Sequence, residues 1–179
     1  MVEEGHPTSR GHAERVAGLA GALTQRLGWP ASGVSALRDA AILHHVGKII
    51  VPKSVLLKAG SFTEAEWAQM RTHPIVGDDM LEDILSDAQR TWVRGHHERW
   101  DGAGYPDGLA ATGIPEGARI LAMADSWDVM TSARVYSGAL IRDEAIDEVR
   151  RTAARQFDPQ VAAALVELIG DDVPVAPLA

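Results

Sequence analysis

A chain of 179 residues with 46% hydrophobic content carries enough apolar material for one core, and one domain is the natural expectation. Its 25 acidic against 17 basic residues give a net charge of -8, which disfavours a phosphate-tracking surface, so nucleic acid is not an expected partner. There is no cysteine, so a metal would have to be held by nitrogen and oxygen, and with no apolar run of membrane-spanning length a membrane is not expected either; this composition suits the cytoplasm.

A first helix is predicted from His12 to Gly28, where Val16, Leu19, Leu23 and Leu27 recur at the spacing of one helix face. His12 extends that stripe backwards by one turn. A second helix starts near Ser32 and turns Val34, Leu37, Ala41 and His44 inward. Pro52 interrupts the chain. Thr63 to Glu66 has the spacing of a capping box, opening a helix expected to carry Trp67 and Met70 inward, with His73 following at i+3. Pro74 opens the next helical turn, through Val76 and Met80, and a further helix is expected from Asp87 to His97 through Trp92 and Val93.

The stretch "DGAGYPDGL", Asp101 to Leu109, is too rich in Gly and Pro for a regular element and marks a tight loop. Pro115 begins a helix with Leu121, Asp125, Asp128 and Val129 on one face. Two more helices are expected, one from Asp143 as N-cap through Ile146 and Val149, and one from Pro159 through Val161 and Leu165. No stretch alternates with period two. The expectation is an all-α domain of about seven or eight helices over residues 12–170, preceded by a linker, 1–11, and followed by a loose tail, 171–179.

The seven histidines are His6, His12, His44, His45, His73, His96 and His97, and His12, His44 and His73 fall on inward faces. One inward histidine is usually a satisfied core residue. Two His-His pairs together with an inward Asp125 would leave many buried nitrogens in need of partners, and a shared metal satisfies them together. Imidazole with carboxylate and no thiolate suits iron, manganese or zinc, and more than four such ligands suit a binuclear centre. A two-metal centre points to phosphoryl chemistry.

"HHERWDGAGYPDGL", His96 to Leu109, together with "RTHP" at Arg71 to Pro74, "IPEGARILAMADSWDVMTS" at Ile114 to Ser132 and "HHVGK" at His44 to Lys48, resembles the HD-GYP domains of the HD phosphohydrolase superfamily. The likeness runs from "GHAERVAGLA" to "FDPQVAAALVELI". It implies an all-α fold and hydrolysis of cyclic di-GMP at a centre of two divalent metal ions, iron or manganese. It also implies His12, His44, His73, His96, His97 and Asp125 as metal ligands, with His45 standing at a further ligand position. Lys48 would contact the scissile phosphate or the leaving oxygen, and Arg134 would steady a phosphate. Gly104, Tyr105 and Pro106 form the GYP loop, to which the family assigns protein partners and site shaping; Tyr105 reads equally as a rigid loop anchor packed on the domain.

The chain departs from the family pattern at three places. His45 stands where the family has a metal-bridging aspartate, and a neutral imidazole binds through one nitrogen to one metal at a time, so a single metal becomes an alternative to two. Thr8 replaces a glutamate found in trinuclear members, and Ser137 stands where many members have a phosphate-binding cation. Two function classes therefore stay open. One is a cyclic di-GMP phosphodiesterase weakened at His45, with Lys48 and His45 in the catalytic centre. The other is a degenerate module that binds cyclic di-GMP or protein partners without hydrolysis. A lesser third is a phosphohydrolase for another phosphorylated small molecule.

Overall fold

The computed structural model describes residues 11–132 and 140–170. Its helices begin and end where local chemistry dictates. α1 (His12–Arg26) places Val16, Leu19 and Leu23 on one buried face and is followed, after residues 27–30, by α2 (Ala31–Leu43), which packs along it through Leu37 and Ala41. α2 stops at His44, which is its C-cap, and the chain tightens into a 3-10 segment, Val46–Ile50, before the four-residue α3 (Lys53–Leu56). Neither of these short pieces has a hydrophobic period long enough to announce it in the sequence.

α4 (Glu64–Met70) opens with the capping box expected at Thr63, in which Thr63 Oγ1 accepts from the Glu66 backbone and Glu66 reaches back to the Thr63 backbone. The expected inward face is not there. Trp67 is 39% exposed, Met70 is half-buried, and no residue of α4 is buried. Trp67 instead meets Phe62 edge-on at 5.2 Å and lies under the Arg71 guanidinium at 5.7 Å, so an aromatic cluster on the surface accounts for it. α5 (His73–Met80) likewise buries His73, Pro74 and Gly77 and leaves Met80 exposed.

α6 (Asp87–Gly95) is capped by Ser86 with Gln89, and it ends at Gly95 with His96 as C-cap, so His97 lies beyond the helix that was expected to contain it. α7 (Glu116–Thr131) crosses the centre of the molecule and buries Leu121, Asp125 and Asp128, with Val129 half-buried. α8 (Arg142–Thr152) starts two residues earlier than expected, with Ile141 and not Asp143 at the N-cap; the Glu144 carboxylate accepts from the Ile141 N–H at 3.2 Å. α9 (Pro159–Gly170) closes the core with Val161 and Leu165.

Among the described residues there are eight helices of seven residues or more, together with α3, and no β-strand. The all-α expectation holds. The main core joins α1, α2, α7, α8 and α9, and a second, smaller cluster of Ala40, Leu81 and Val93 sits under α2, α5 and α6. Helix ends from both groups meet between these cores, and Gly47 permits the closest of these approaches. A Cβ there would fall on the His73 carbonyl oxygen and the Gly77 nitrogen, so only glycine lets the 3-10 segment lie against α5. No helix among the described residues is long and apolar enough to cross a membrane.

Candidate metal centre

Six histidines and one aspartate converge between the two cores, each delivered by a helix end or a buried helix face. His12 comes from the start of α1, His44 and His45 from the end of α2, His73 from the start of α5, His96 and His97 from the end of α6, and Asp125 from the middle of α7. Two overlapping groups arise. His12, His44, His45 and Asp125 offer ligand atoms within 4.8 Å of one another, and so do His45, His73, His96 and His97. His45 belongs to both. Its ring centre lies 5.4 Å from that of His12, 5.5 Å from that of His73 and 5.6 Å from that of His96.

One local device sets three of these rings. The Nδ1–H of His44 is directed to the Ala41 carbonyl at 2.6 Å, that of His73 to Met70 at 2.7 Å, and that of His96 to Val93 at 2.5 Å. In each case the partner lies three residues back, where a helical turn brings it under the ring. A neutral imidazole that donates from Nδ1 keeps a lone pair on Nε2, the form a metal requires. The Nε2 atoms of His73 and His96 then face each other at 3.4 Å.

His12 is held differently. Its Nδ1 bonds the Asp128 carboxylate at 2.7 Å, and Asp128 is in turn gripped by Arg15 through Nε at 2.5 Å and Nη2 at 3.0 Å. Its Nε2 faces Asp125 Oδ1 at 3.3 Å, and His44 Nε2 stands 3.8 Å from the same oxygen.

Charge follows this division. Burial pushes His73 down to about 3 and His97 to about 4, with the Lys48 ammonium adding to the effect at both. Burial also drives His45 and His96 well below the ordinary range, His45 with help from His44 and Lys48 and His96 with help from His97 and His44. Burial opposes protonation of His12 as well, yet the facing carboxylates of Asp125 and Asp128 outweigh it and raise it to about 9. Asp125 is held well below the usual carboxylate range despite its burial, chiefly through His12 and His44.

The donor set fits a metal on an observation independent of any resemblance. His12 Nε2, His44 Nε2, His45 Nε2 and Asp125 Oδ1 are buried and satisfy no hydrogen bond, although all four point into one small volume. Buried polar atoms are rarely left so, and four together call for a cation.

The GYP loop is tied to this centre. Tyr105 stacks on the His97 ring at 4.9 Å, donates its backbone N–H to the His97 carbonyl at 3.2 Å, and lies beneath the Arg71 guanidinium at 5.8 Å. Gly104 rests on the backbone of Glu98 and Arg99, where no Cβ would fit. Pro106 is half-buried beside it, and Glu98 Oε1 anchors the loop by accepting from the N–H groups of Asp107 at 2.7 Å and Gly108 at 3.0 Å. Lys48 is half-buried in the 3-10 segment, and its charge is felt at His45, His73 and His97. Arg134, Thr8 and Ser137 lie outside the described residues.

Sequence reasoning placed Asp128 on an inward face without giving it a role, and it passed over Arg15 and Glu98. The signal was present: Asp128 follows Asp125, and Arg15 follows His12, by three residues each.

A model of the HD-domain family matches residues 1–161. Over 160 residues the chain is 41% identical to the cyclic di-GMP phosphodiesterase response regulator RpfG of Xanthomonas campestris, covering 86% of this chain and 41% of that protein. It is 36% identical to a cyclic di-GMP phosphodiesterase of Thermotoga maritima, covering 88% of this chain and 44% of the relative. The chain thus spans well under half the length of these relatives. Among solved structures, a cyclic GMP-AMP phosphodiesterase of Vibrio cholerae, V-cGAP3, superposes with a TM-score of 0.73 at 18% identity over 95% of this chain and 46% of its own. The HD-GYP-type protein Bd1817 of Bdellovibrio bacteriovorus does so with a TM-score of 0.71 at 22% identity, over 89% of this chain and 51% of its own. At those identities the structures speak for the fold.

Proposed function

The chain belongs to the HD-domain family, and from that premise we propose that it is a metal-dependent phosphodiesterase acting on cyclic di-GMP, a cytoplasmic one, with residues 12–170 as the working domain. The observation that carries this reading is the set of four buried ligand atoms on His12, His44, His45 and Asp125 that make no hydrogen bond, continued by the imidazoles of His73, His96 and His97. His12, His44 and Asp125 would hold one divalent ion and His73, His96 and His97 a second, iron or manganese, with His45 between them. Bound metal supplies Lewis-acid polarisation of the phosphoryl group and activation of the attacking water.

The chain's own residues do the rest. Asp125 accepts positive charge into a buried site, and the backbone-braced rings of His44, His73 and His96 hold their Nε2 atoms in position without reorganisation. Lys48 stabilises the negative charge on the phosphoryl oxygens as the water oxygen bonds to phosphorus and the P–O ester bond breaks, and it delivers a proton to the leaving oxygen while the proton lost by the water passes to solvent. Arg134 clamps a phosphate of the dinucleotide. Tyr105 and Arg71 form the wall beside His97.

The test is chromatography of cyclic di-GMP incubated with the manganese- or iron-loaded protein, alongside Lys48→Ala. Linear or mononucleotide product that disappears in the variant is expected, and no product from protein with two metals bound would overturn the reading. A second reading has its own observation. His45 cannot offer two oxygens to two metals, which favours a module that binds cyclic di-GMP, or partners through the GYP loop, without hydrolysis. Calorimetry showing tight binding with no turnover would establish it.

A further inference from the structure

The group made by His45, His73, His96 and His97 contains no carboxylate, and its four imidazole nitrogens lie within 4.8 Å of one another. Two of them are closer, with His73 Nε2 and His96 Nε2 3.4 Å apart. Both of these rings direct Nδ1–H to a backbone carbonyl, so in their neutral forms neither Nε2 carries a hydrogen. Two lone pairs held face to face in a buried site repel each other unless a cation lies between them.

The spacing also bears on which cation. Nitrogens bound at about 2.0–2.1 Å to tetrahedral zinc are separated by about 3.3–3.4 Å, the edge of that tetrahedron. Adjacent ligands of an octahedral ion at the same bond length would be only about 2.9 Å apart. Donor chemistry separates zinc from manganese in the same direction, because imidazole suits zinc, copper, iron and nickel, whereas manganese is suited by carboxylate and water oxygens.

We propose that His45 turns this side of the centre into a four-imidazole site selective for a borderline-soft, tetrahedral divalent metal, zinc above all, while the side containing Asp125 keeps the oxygen donor that iron or manganese accepts. The inference rests on the metal-centre reading above and departs from it in the metal of the imidazole side alone. An aspartate at position 45 would give both sides an oxygen donor and erase the difference. The two sides would therefore be loaded from different metal pools, and the composition of the centre would report which metals were supplied.

The experiment strips the whole chain with a chelator and dialyses it against equal zinc(II) and manganese(II). Elemental mass spectrometry then reads the metal retained by the native protein and by His45→Asp. The native zinc-to-manganese ratio is expected to exceed that of the variant by about tenfold or more. A parallel cobalt(II) titration of the unaltered protein needs no variant to fold, and the intense visible bands of tetrahedral cobalt are expected. Equal ratios in both chains, or only the weak absorption of octahedral cobalt, would overturn the four-imidazole site while leaving the metal centre standing. Retention of no metal by either chain would overturn the centre and the inference with it.

Discussion

The two sides of the histidine cluster are built from different materials. On one side His73 and His96 hang from backbone carbonyls and stay neutral, and His97 leans on the GYP tyrosine. On the other, His12 is braced by the Asp128–Arg15 pair and faces Asp125, so this side carries buried negative charge. His44 shares both characters, since its Nδ1 is held by a carbonyl while its Nε2 stands 3.8 Å from Asp125. The difference teaches which step is demanding. A dication entering the Asp125 side is met by a carboxylate, whereas one entering the imidazole side gains only neutral donors, and His45 lends no charge to either.

The largest expected effect comes from forcing the two sides apart. In Gly47→Ala the new Cβ meets backbone atoms of His73 and Gly77, which cannot swing away as a side chain could. A loss of about 3 kcal/mol of stability is expected, with metal lost from both sides, measured by urea unfolding and elemental analysis. An unchanged midpoint would mean that the 3-10 segment does not lie against α5.

Asp125→Asn divides the centre instead of breaking it. Affinity on the carboxylate side should fall by more than the roughly 10–100-fold that losing an outer partner costs, while the imidazole side keeps its metal. Titration with zinc after stripping would resolve the two, and equal weakening of both would abolish the comparison. Asp128 allows a finer cut. Asn there still accepts from the His12 Nδ1–H but lacks the charge, so about tenfold is expected for Asp128→Asn and about 100-fold for Asp128→Ala, both confined to the His12 side and read by chelator competition.

What the sequence made legible follows from the physics of each part. The long helices α1, α2 and α7 bury one face each, so their periodicity is a record of the fold. The convergence of the histidines with Asp125 was legible because histidine and aspartate on such faces are costly without a partner. Trp67 and Met70 misled, since in short helices apolar spacing says little about burial, and Trp67 finds its partners on the surface. The bracing by carbonyls three residues back was hidden, because it depends on where a helix stops. The inward place of Asp128 was legible but its bond to His12 was not, because that bond joins α7 to α1 across the fold.

The smallest expected effect lies outside the centre and serves as its reference. Glu66, in the cap of α4, is held down to about 2 by the Lys58 ammonium at 2.5 Å and by the Thr63 N–H. Its folded value lies below its ordinary value of 4.5, so its contribution to the cap is complete above that pH and is lost as pH falls through about 2. The group is half-buried at the surface, where solvent screens it, so the change is local and slight. A carbon-detected NMR titration should place the Glu66 midpoint near 2 and, in Lys58→Ala, return it toward 4.5, with zinc and manganese content untouched. A midpoint that stayed near 2 in the variant would assign the whole effect to the N–H and hydroxyl of Thr63. Metal lost from the centre in Lys58→Ala would mean that the imidazole side reaches further along the chain than α5, and the contrast between the two sides would have to be redrawn around α4.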